Sequence, residues 1–188
     1  MSIFKNIDRK FFIPVSRLVI PVLLVVSLCC WYFCCYLSSP LTTIILVRHA
    51  DRDGAADALD PVKGPPRTLE LRRILDEANV QVIYSTNTVR TMATVNPLAT
   101  QLGLVVQPYD ATNLQALEDE IRAQHSGKTV LVVGHSGPTE SVTATIGLFA
   151  IPAPPAIPGN EYDHLYVLTF GRRCPTKLLK MEYGAETP

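Results

Sequence analysis

Two unbroken apolar runs, Ile44-Ile45-Leu46-Val47 and Val130-Leu131-Val132-Val133, constrain this chain more than anything else in it. Neither alternates with polar residues, so neither can be a strand with one wet face. A short β-branched run of this kind belongs in the middle of a parallel sheet covered on both sides. Each run also ends on a histidine, Arg48-His49 after the first and Gly134-His135 after the second. In an open α/β sheet the C-terminal strand ends border the binding crevice.

The segments around these runs alternate between strand and helix patterns. Strands are expected over Thr43–Val47, Val80–Tyr84, Leu104–Gln107, Thr129–Val133, Leu165–Phe170 and Leu178–Tyr183. Helical spacing covers Arg67–Ala78, with Leu69, Leu71, Ile74 and Leu75 along one side, then Asn87–Leu102, Leu114–Gln124 and Thr139–Leu148. Pro97 is expected to kink or break the second of these helices. Asp51–Pro66 and Ile151–Gly159, rich in Gly and Pro, read as loops. Strand and helix in alternation predict an α/β fold, a three-layer α/β/α sandwich with a mainly parallel central sheet. There is no internal repeat.

This domain is expected over 41–188, and something different precedes it. Leu18 to Leu37 is an uncharged stretch of Val, Leu, Ile, Cys and aromatic residues, about the roughly 20 residues a helix needs to cross a bilayer. Residues 1–17 form a short basic N-terminus with Lys5, Arg9, Lys10 and Arg17 opposed only by Asp8. The positive-inside tendency keeps that end cytoplasmic and places the domain on the extracytoplasmic side. A cleaved signal peptide is the competing reading, giving an exported soluble form lacking residues 1–39. The anchor is favoured because no small-x-small cleavage pattern closes the run, which also exceeds a signal-peptide core of roughly 7–15 residues. Partnership with a membrane through 18–37 follows.

The formal net charge is zero, yet residues 1–40 hold four basic and one acidic side chain, leaving thirteen basic and sixteen acidic beyond them. That balance offers no basic patch for nucleic acid. Cys29, Cys30, Cys34 and Cys35 lie in the hydrophobic run, where they read as small apolar residues. Cys174 stands alone in the domain, so an internal disulfide and a cysteine-based metal site are both excluded there.

The chemistry is carried by convergence. Parallel strands would bring His49 and His135 to one sheet edge, together with Arg48 and with Arg90 from the first turns of the helix after the second strand. Arginine offers a planar fork to phosphate or carboxylate, and histidine exchanges a proton or attacks as a nucleophile near neutral pH. Two guanidiniums and two imidazoles around one crevice suit a phosphoryl group, whose oxygens need several donors at once. Arg52 is either an extension of this cationic rim toward the substrate or an ordinary solvated loop residue.

Leu46-Val47-Arg48-His49-Ala50 resembles the signature of the histidine phosphatase superfamily, the phosphoglycerate-mutase-like proteins. Ile83-Tyr84-Ser85-Thr86-Asn87-Thr88-Val89-Arg90-Thr91 is similar to the family's strand–helix segment that ends in a phosphate-binding arginine. Val132-Val133-Gly134-His135-Ser136 resembles its second histidine motif, and Tyr162-Asp163-His164-Leu165-Tyr166 a late strand of its small bacterial members. The resemblance runs over about 42–184. It implies a metal-independent phosphomonoester hydrolase that needs no cofactor. His49 would be the nucleophile, forming a phosphohistidine, and Arg48, Arg90 and His135 the phosphate pocket. The substrate would be a phosphorylated small molecule or phosphoprotein.

One departure matters. Many members carry a proton-donating glutamate after the third strand, and here that stretch reads Tyr109-Asp110-Ala111-Thr112-Asn113-Leu114-Gln115. Asp110 is the candidate proton donor, with Asp51 and Glu140 as weaker ones. Loss of a general acid costs roughly 10²–10⁴ in rate, which favours good leaving groups and hydrolysis over mutase chemistry. His125, near a helix end, and His164, at a strand start, are expected to play no part in activity. Three alternatives stand beside the phosphatase reading. They are a weakly catalytic phosphate-binding module, a mutase-type phosphotransferase, and a metal-dependent hydrolase built on His49, Asp51 and His135.

Overall fold

The computed structural model describes residues 15–37, 40–54, 56–135, 141–149, 151–172 and 174–187, the side chains of the first stretch only over 19–33. The chain divides into two units, Met1–Ser39 and Pro40–Pro188. The first holds a helix, α1 (Val15–Leu37), with Pro21 inside it. Its described side chains are exposed. Among the described residues no helix is long and apolar enough to cross a membrane, so the transmembrane helix expected over 18–37 is not found there.

The second unit is the sandwich. Its elements are β1 (Thr42–Arg48), α2 (Gly64–Leu75), β2 (Val80–Thr86), α3 (Val89–Leu102), β3 (Val106–Tyr109), α4 (Leu114–Gln124), β4 (Thr129–Gly134), α5 (Val142–Leu148), β5 (His164–Phe170) and β6 (Lys177–Glu182). The sheet order is β3-β2-β4-β1-β5-β6. Strands β1 to β4 pair in parallel, while β5 runs antiparallel to both β1 and β6. The two apolar runs are neighbours at the centre of the sheet, in register from Thr43↔Thr129 to Arg48↔Gly134. Both lack a wet face for that reason.

Strand periodicity then sorts their side chains into two cores. Ile44, Leu46, Val130 and Val132 face Leu117 and Ile121 of α4 and Val142 and Ile146 of α5. Ile45, Val47, Leu131 and Val133 face Leu71 and Leu75 of α2 and Val95 and Leu98 of α3. Nearly all of these are fully buried, each contributing roughly 1.5–3 kcal/mol relative to exposure.

Three expectations are corrected. The helix expected at Arg67–Ala78 is α2, starting three residues earlier, because proline opens its first turn, where the missing N–H costs nothing. Pro97 does not break the next helix, for α3 continues through it to Leu102 and ends on Gly103 in the left-handed region (φ 65°). Burial of Val95, Leu98 and Ala99 on either side of Pro97 outweighs its one lost hydrogen bond. Finally β3 lies two residues later than expected and contains Pro108, which an edge strand accommodates. Of the helix expected over 139–148, residues 142–148 are helical and 139–140 lie outside the described residues.

Candidate active site

Parallel pairing carries Arg48 and Gly134 to the same level at the C-terminal edge of the sheet, and His49 N–H donates to the Gly134 carbonyl at 2.9 Å. His49 and His135 are thereby held on adjacent strand ends, both buried. The glycine is required. A Cβ at Gly134 would collide with Ser141 Oγ and come within 2.9 Å of Tyr109 Oη. Ser141 Oγ in turn accepts the His135 backbone N–H at 3.0 Å.

The His49 ring is oriented by its own chain. Nδ1 lies 2.7 Å from the Ala50 carbonyl oxygen, an atom that can only accept, so Nδ1 carries the proton and Nε2 the lone pair. The Ala50 N–H donates to Thr94 Oγ1 at 2.8 Å, and that hydroxyl donates to the Arg90 carbonyl at 2.7 Å. The residue after the nucleophile candidate is thus tied to the helix bearing the second arginine. Burial, reinforced by the charges of Arg48, Arg90 and His135, pushes the His49 pKa down to about 3, against the lift from its Ala50 bond. All four groups named from the sequence therefore act on one another. His49 is a neutral imidazole with an unprotonated Nε2 throughout the ordinary pH range.

His135 is also held below its ordinary pKa, first by burial and then by Arg90 and Arg48, with Asp57 opposing. Its Nδ1 lies 3.3 Å from Thr86 Oγ1. Thr91 donates to the Thr86 carbonyl at 2.6 Å and receives the Thr86 hydroxyl at 3.1 Å. Thr86 Oγ1 is left to accept from the imidazole, a threonine relay that nothing in the sequence singled out.

The two arginines differ. Arg48 directs three of its five N–H groups to main-chain carbonyls, those of Pro158 (2.9 Å), Gly159 (3.0 Å) and Glu161 (2.6 Å). Its guanidinium lies over the Tyr162 ring at 4.1 Å, and that ring is 5.7 Å from the His49 ring. Tyr162 was legible only as part of the late-strand resemblance, with no role attached. Arg48 is accordingly a clamped charge beside His49, with less of its fork available than the sequence reading supposed. Arg90 forms a salt bridge to Asp57 at 2.8 Å, and its Nε is buried with no acceptor.

The proton-donor candidates fare less well. Asp110 lines an open cavity of about 520 Å³ with Thr86, Tyr109 and His135. Hydrogen bonds from the Thr112 hydroxyl (2.7 Å) and N–H (2.8 Å) hold its carboxyl below the usual range. It is a carboxylate at neutral pH and has no proton to give. Asp51 is buried against Arg67 at 2.5 Å, and Arg67 also donates to the Tyr183 and Ala185 carbonyls at 2.8 and 2.9 Å. The pair is a strut tying the loop after β1 to the C-terminal segment, which removes Asp51 both as an acid and as the carboxylate of a two-histidine metal site. Among the described residues no group of three or more His, Cys, Asp or Glu is placed to hold a metal ion. Glu140 lies outside the described residues.

Arg52 makes an isolated antiparallel bridge with Leu59. It lines a second cavity of about 570 Å³ with Lys63, Asn160 and Tyr162, which adjoins the site through Tyr162 and Gly159. His125 caps the end of α4 and meets Tyr84 Oη at 2.8 Å, as dull a role as expected. His164 is less remote than its place at a strand start suggests. Its Nε2 lies 3.0 Å from Glu161 Oε2, and the Glu161 carbonyl is one of those gripping Arg48.

No family model matches the chain, and no curated protein matches it in sequence. Solved structures do match in fold. A mycobacterial glucosyl-3-phosphoglycerate phosphatase in complex with inorganic phosphate superimposes with a TM-score of 0.56 at 16% identity, over 77% of this chain and 97% of that one. Phosphoserine phosphatase of Entamoeba histolytica, in complex with 3-phosphoglyceric acid, gives 0.56 at 17% identity over 77% and 97%. SixA of Agrobacterium tumefaciens, assigned as a phosphohistidine phosphatase, gives 0.53 at 23% identity over the same shares. The domain has the fold of these solved phosphatase structures.

Proposed function

We propose that the domain is a phosphatase that hydrolyses phosphomonoesters through a phosphohistidine on His49, without a metal. One observation carries the reading. A buried imidazole is kept neutral, with Nδ1–H committed to the Ala50 carbonyl, among the positive charges of Arg48 and Arg90 and beside His135. A neutral Nε2 lone pair is a nucleophile, and the surrounding cations stabilise the phosphoryl oxygens as charge develops on them.

In the first step Nε2 attacks phosphorus in line, the P–N bond forms and the bond to the leaving oxygen breaks with its electron pair. In the second, water attacks phosphorus, the P–N pair returns to Nε2 so that His49 is neutral again, and the protons of that water leave on the departing phosphate or to solvent. His135, when protonated, donates to the phosphoryl group. The substrate is a phosphorylated small molecule or a phosphoprotein, in keeping with the sugar phosphate, phosphoserine and phosphohistidine names of the similar structures. The basic N-terminus ahead of the uncharged stretch Leu18–Leu37 supports an extracytoplasmic location for the domain.

The test uses the full chain and its His49→Ala variant with an aryl phosphate and a panel of phosphoesters. Turnover is expected to fall by roughly 10³-fold or more. Wild type given a phosphorus-labelled ester should retain an acid-labile, base-stable label that the variant lacks. Undiminished hydrolysis by the variant, or a label in both, refutes the reading.

A further inference from the structure

We propose that Asp57 is a positioning residue: its carboxylate clamps one edge of the Arg90 guanidinium and the first two amides of α3, leaving the other edge for a bound phosphoryl group. The proposal deepens the phosphatase reading and rests on it for the identity of the ligand. Three donors converge on this carboxylate. They are Arg90 Nη1 at 2.8 Å, the Val89 N–H at 3.0 Å and the Arg90 N–H at 3.4 Å. The acceptor comes from outside the helix, from the loop after β1, whereas Thr88, the residue before α3, supplies the ordinary cap by accepting from Thr91 N–H.

The loop is built to present it. Arg52 and Leu59 pair as an antiparallel bridge, Asp53 N–H reaches the Ala58 carbonyl at 3.3 Å, and Asp60 N–H reaches the Asp51 carbonyl at 2.8 Å. The base of this small hairpin is held by the buried Asp51–Arg67 pair at 2.5 Å. Asp57 is thus fixed at its tip, on the side of α3.

The unengaged edge of Arg90 points to a ligand independently. Its Nε is a buried donor with no acceptor, and since most buried donors are paired, one left open on a cationic pocket calls for a partner. With Nη1 committed to Asp57, the side edge of the guanidinium is the part able to meet two anion oxygens in parallel. Asp57 is not itself the missing acid, since its three donors hold its carboxyl below the ordinary range. Its negative charge also bears on His135. That imidazole faces Arg48 from β1, Arg90 from α3 and His49, and Asp57 is the counter-charge among them.

The full chain and its Asp57→Asn and Asp57→Glu variants test this. Asparagine keeps an oxygen for the two helix amides and the side chain is half exposed, so the fold survives. Binding of inorganic phosphate should weaken about three- to tenfold in Asp57→Asn, the scale of losing one charge-assisted contact. Hydrolysis of an aryl phosphate should lose a similar factor, in KM more than in kcat. The His135 titration midpoint, followed by NMR in ligand-free protein, should fall in Asp57→Asn and return in Asp57→Glu. Phosphate binding that tightens in Asp57→Asn would make Asp57 an internal competitor for the anion site and overturn the proposal. An unmoved His135 midpoint with unchanged phosphate binding overturns it equally. The binding and NMR measurements need no turnover. A wild type that hydrolyses nothing, yet responds to Asp57 in this way, refutes the enzyme reading and leaves the clamp standing.

Discussion

The depressed pKa of His49 makes folding itself a probe of the site. In the unfolded chain His49 titrates near 6.5, whereas in the folded protein burial and the charges of Arg48, Arg90 and His135 bring it to about 3. The unfolded state therefore binds more protons between these two values. Stability from this group is full above pH 6.5 and is lost progressively as pH falls toward 3. Each pH unit in that window removes about 1.4 kcal/mol, so about 2 kcal/mol is gone at pH 5 and about 5 kcal/mol at pH 3. His135, also lowered, adds a slope of the same sign, so wild type alone cannot isolate His49. A His49→Asn variant can. Its amide nitrogen takes the place of Nδ1 as donor to the Ala50 carbonyl but does not titrate. Between pH 7.5 and pH 5 its melting temperature should fall by about 4–8 °C less than that of wild type, taking roughly 2–4 °C per kcal/mol for a chain of this size. Thermal melts by circular dichroism over pH 5–8 would measure it. Parallel curves for the two proteins, within about 1 °C, would mean that the folded imidazole charges freely, and the neutral nucleophile would lose its physical basis.

Two further substitutions separate structure from chemistry. Asp110→Asn should leave kcat on an aryl phosphate within about twofold, because the Thr112 bonds already keep this group ionised; a loss of roughly 10²-fold or more in a steady-state assay would reinstate it as proton donor. Asp51→Asn removes the charge opposite a buried Arg67 at 2.5 Å and should cost about 3–5 kcal/mol in urea unfolding, whereas the apolar double variant Asp51→Leu with Arg67→Leu should cost less than that single change. A single-variant cost below about 1 kcal/mol would show that the strut is dispensable.

The centre of the fold was legible because burial on both faces leaves an unmistakable pattern. Ile44–Val47 and Val130–Val133 could be nothing but inner strands, and they pair with each other. Element edges were less so. Pro65 and Pro66 fell in an expected loop and the third strand was expected to stop before Pro108, yet a proline at a helix start or in an edge strand loses no needed donor. In the site, His49, Arg48, Arg90 and His135 could be named because strand ends and a helix start have fixed places in a parallel sheet. What the sequence hid is the partnership of each. The carbonyls of Pro158, Gly159 and Glu161 carry no side-chain signature, and Asp57 is one loop carboxylate among several until the hairpin brings it to Arg90.

That hidden layer changes what the pocket can do. An arginine with three donors spent on carbonyls cannot close around an incoming phosphate as an open fork would, but it is rigid, and a rigid charge needs no reorganisation when negative charge develops. The turn from Pro158 to Glu161 that fixes it is itself braced by the Glu161–His164 contact, which gives His164 an indirect part in placing Arg48. On the phosphatase reading, attack by His49 and stabilisation of the phosphoryl oxygens are thus provided for. Among the described residues protonation of the departing oxygen is not, since Asp110 is ionised and Asp51 is locked to Arg67. Among the described residues, then, the arrangement favours leaving groups that depart without borrowing a proton from a carboxyl, aryl and acyl phosphates or a phosphoramidate ahead of simple alkyl esters. On the phosphatase reading, the order of kcat/KM across those classes tests whether the described residues supply an acid to the leaving group.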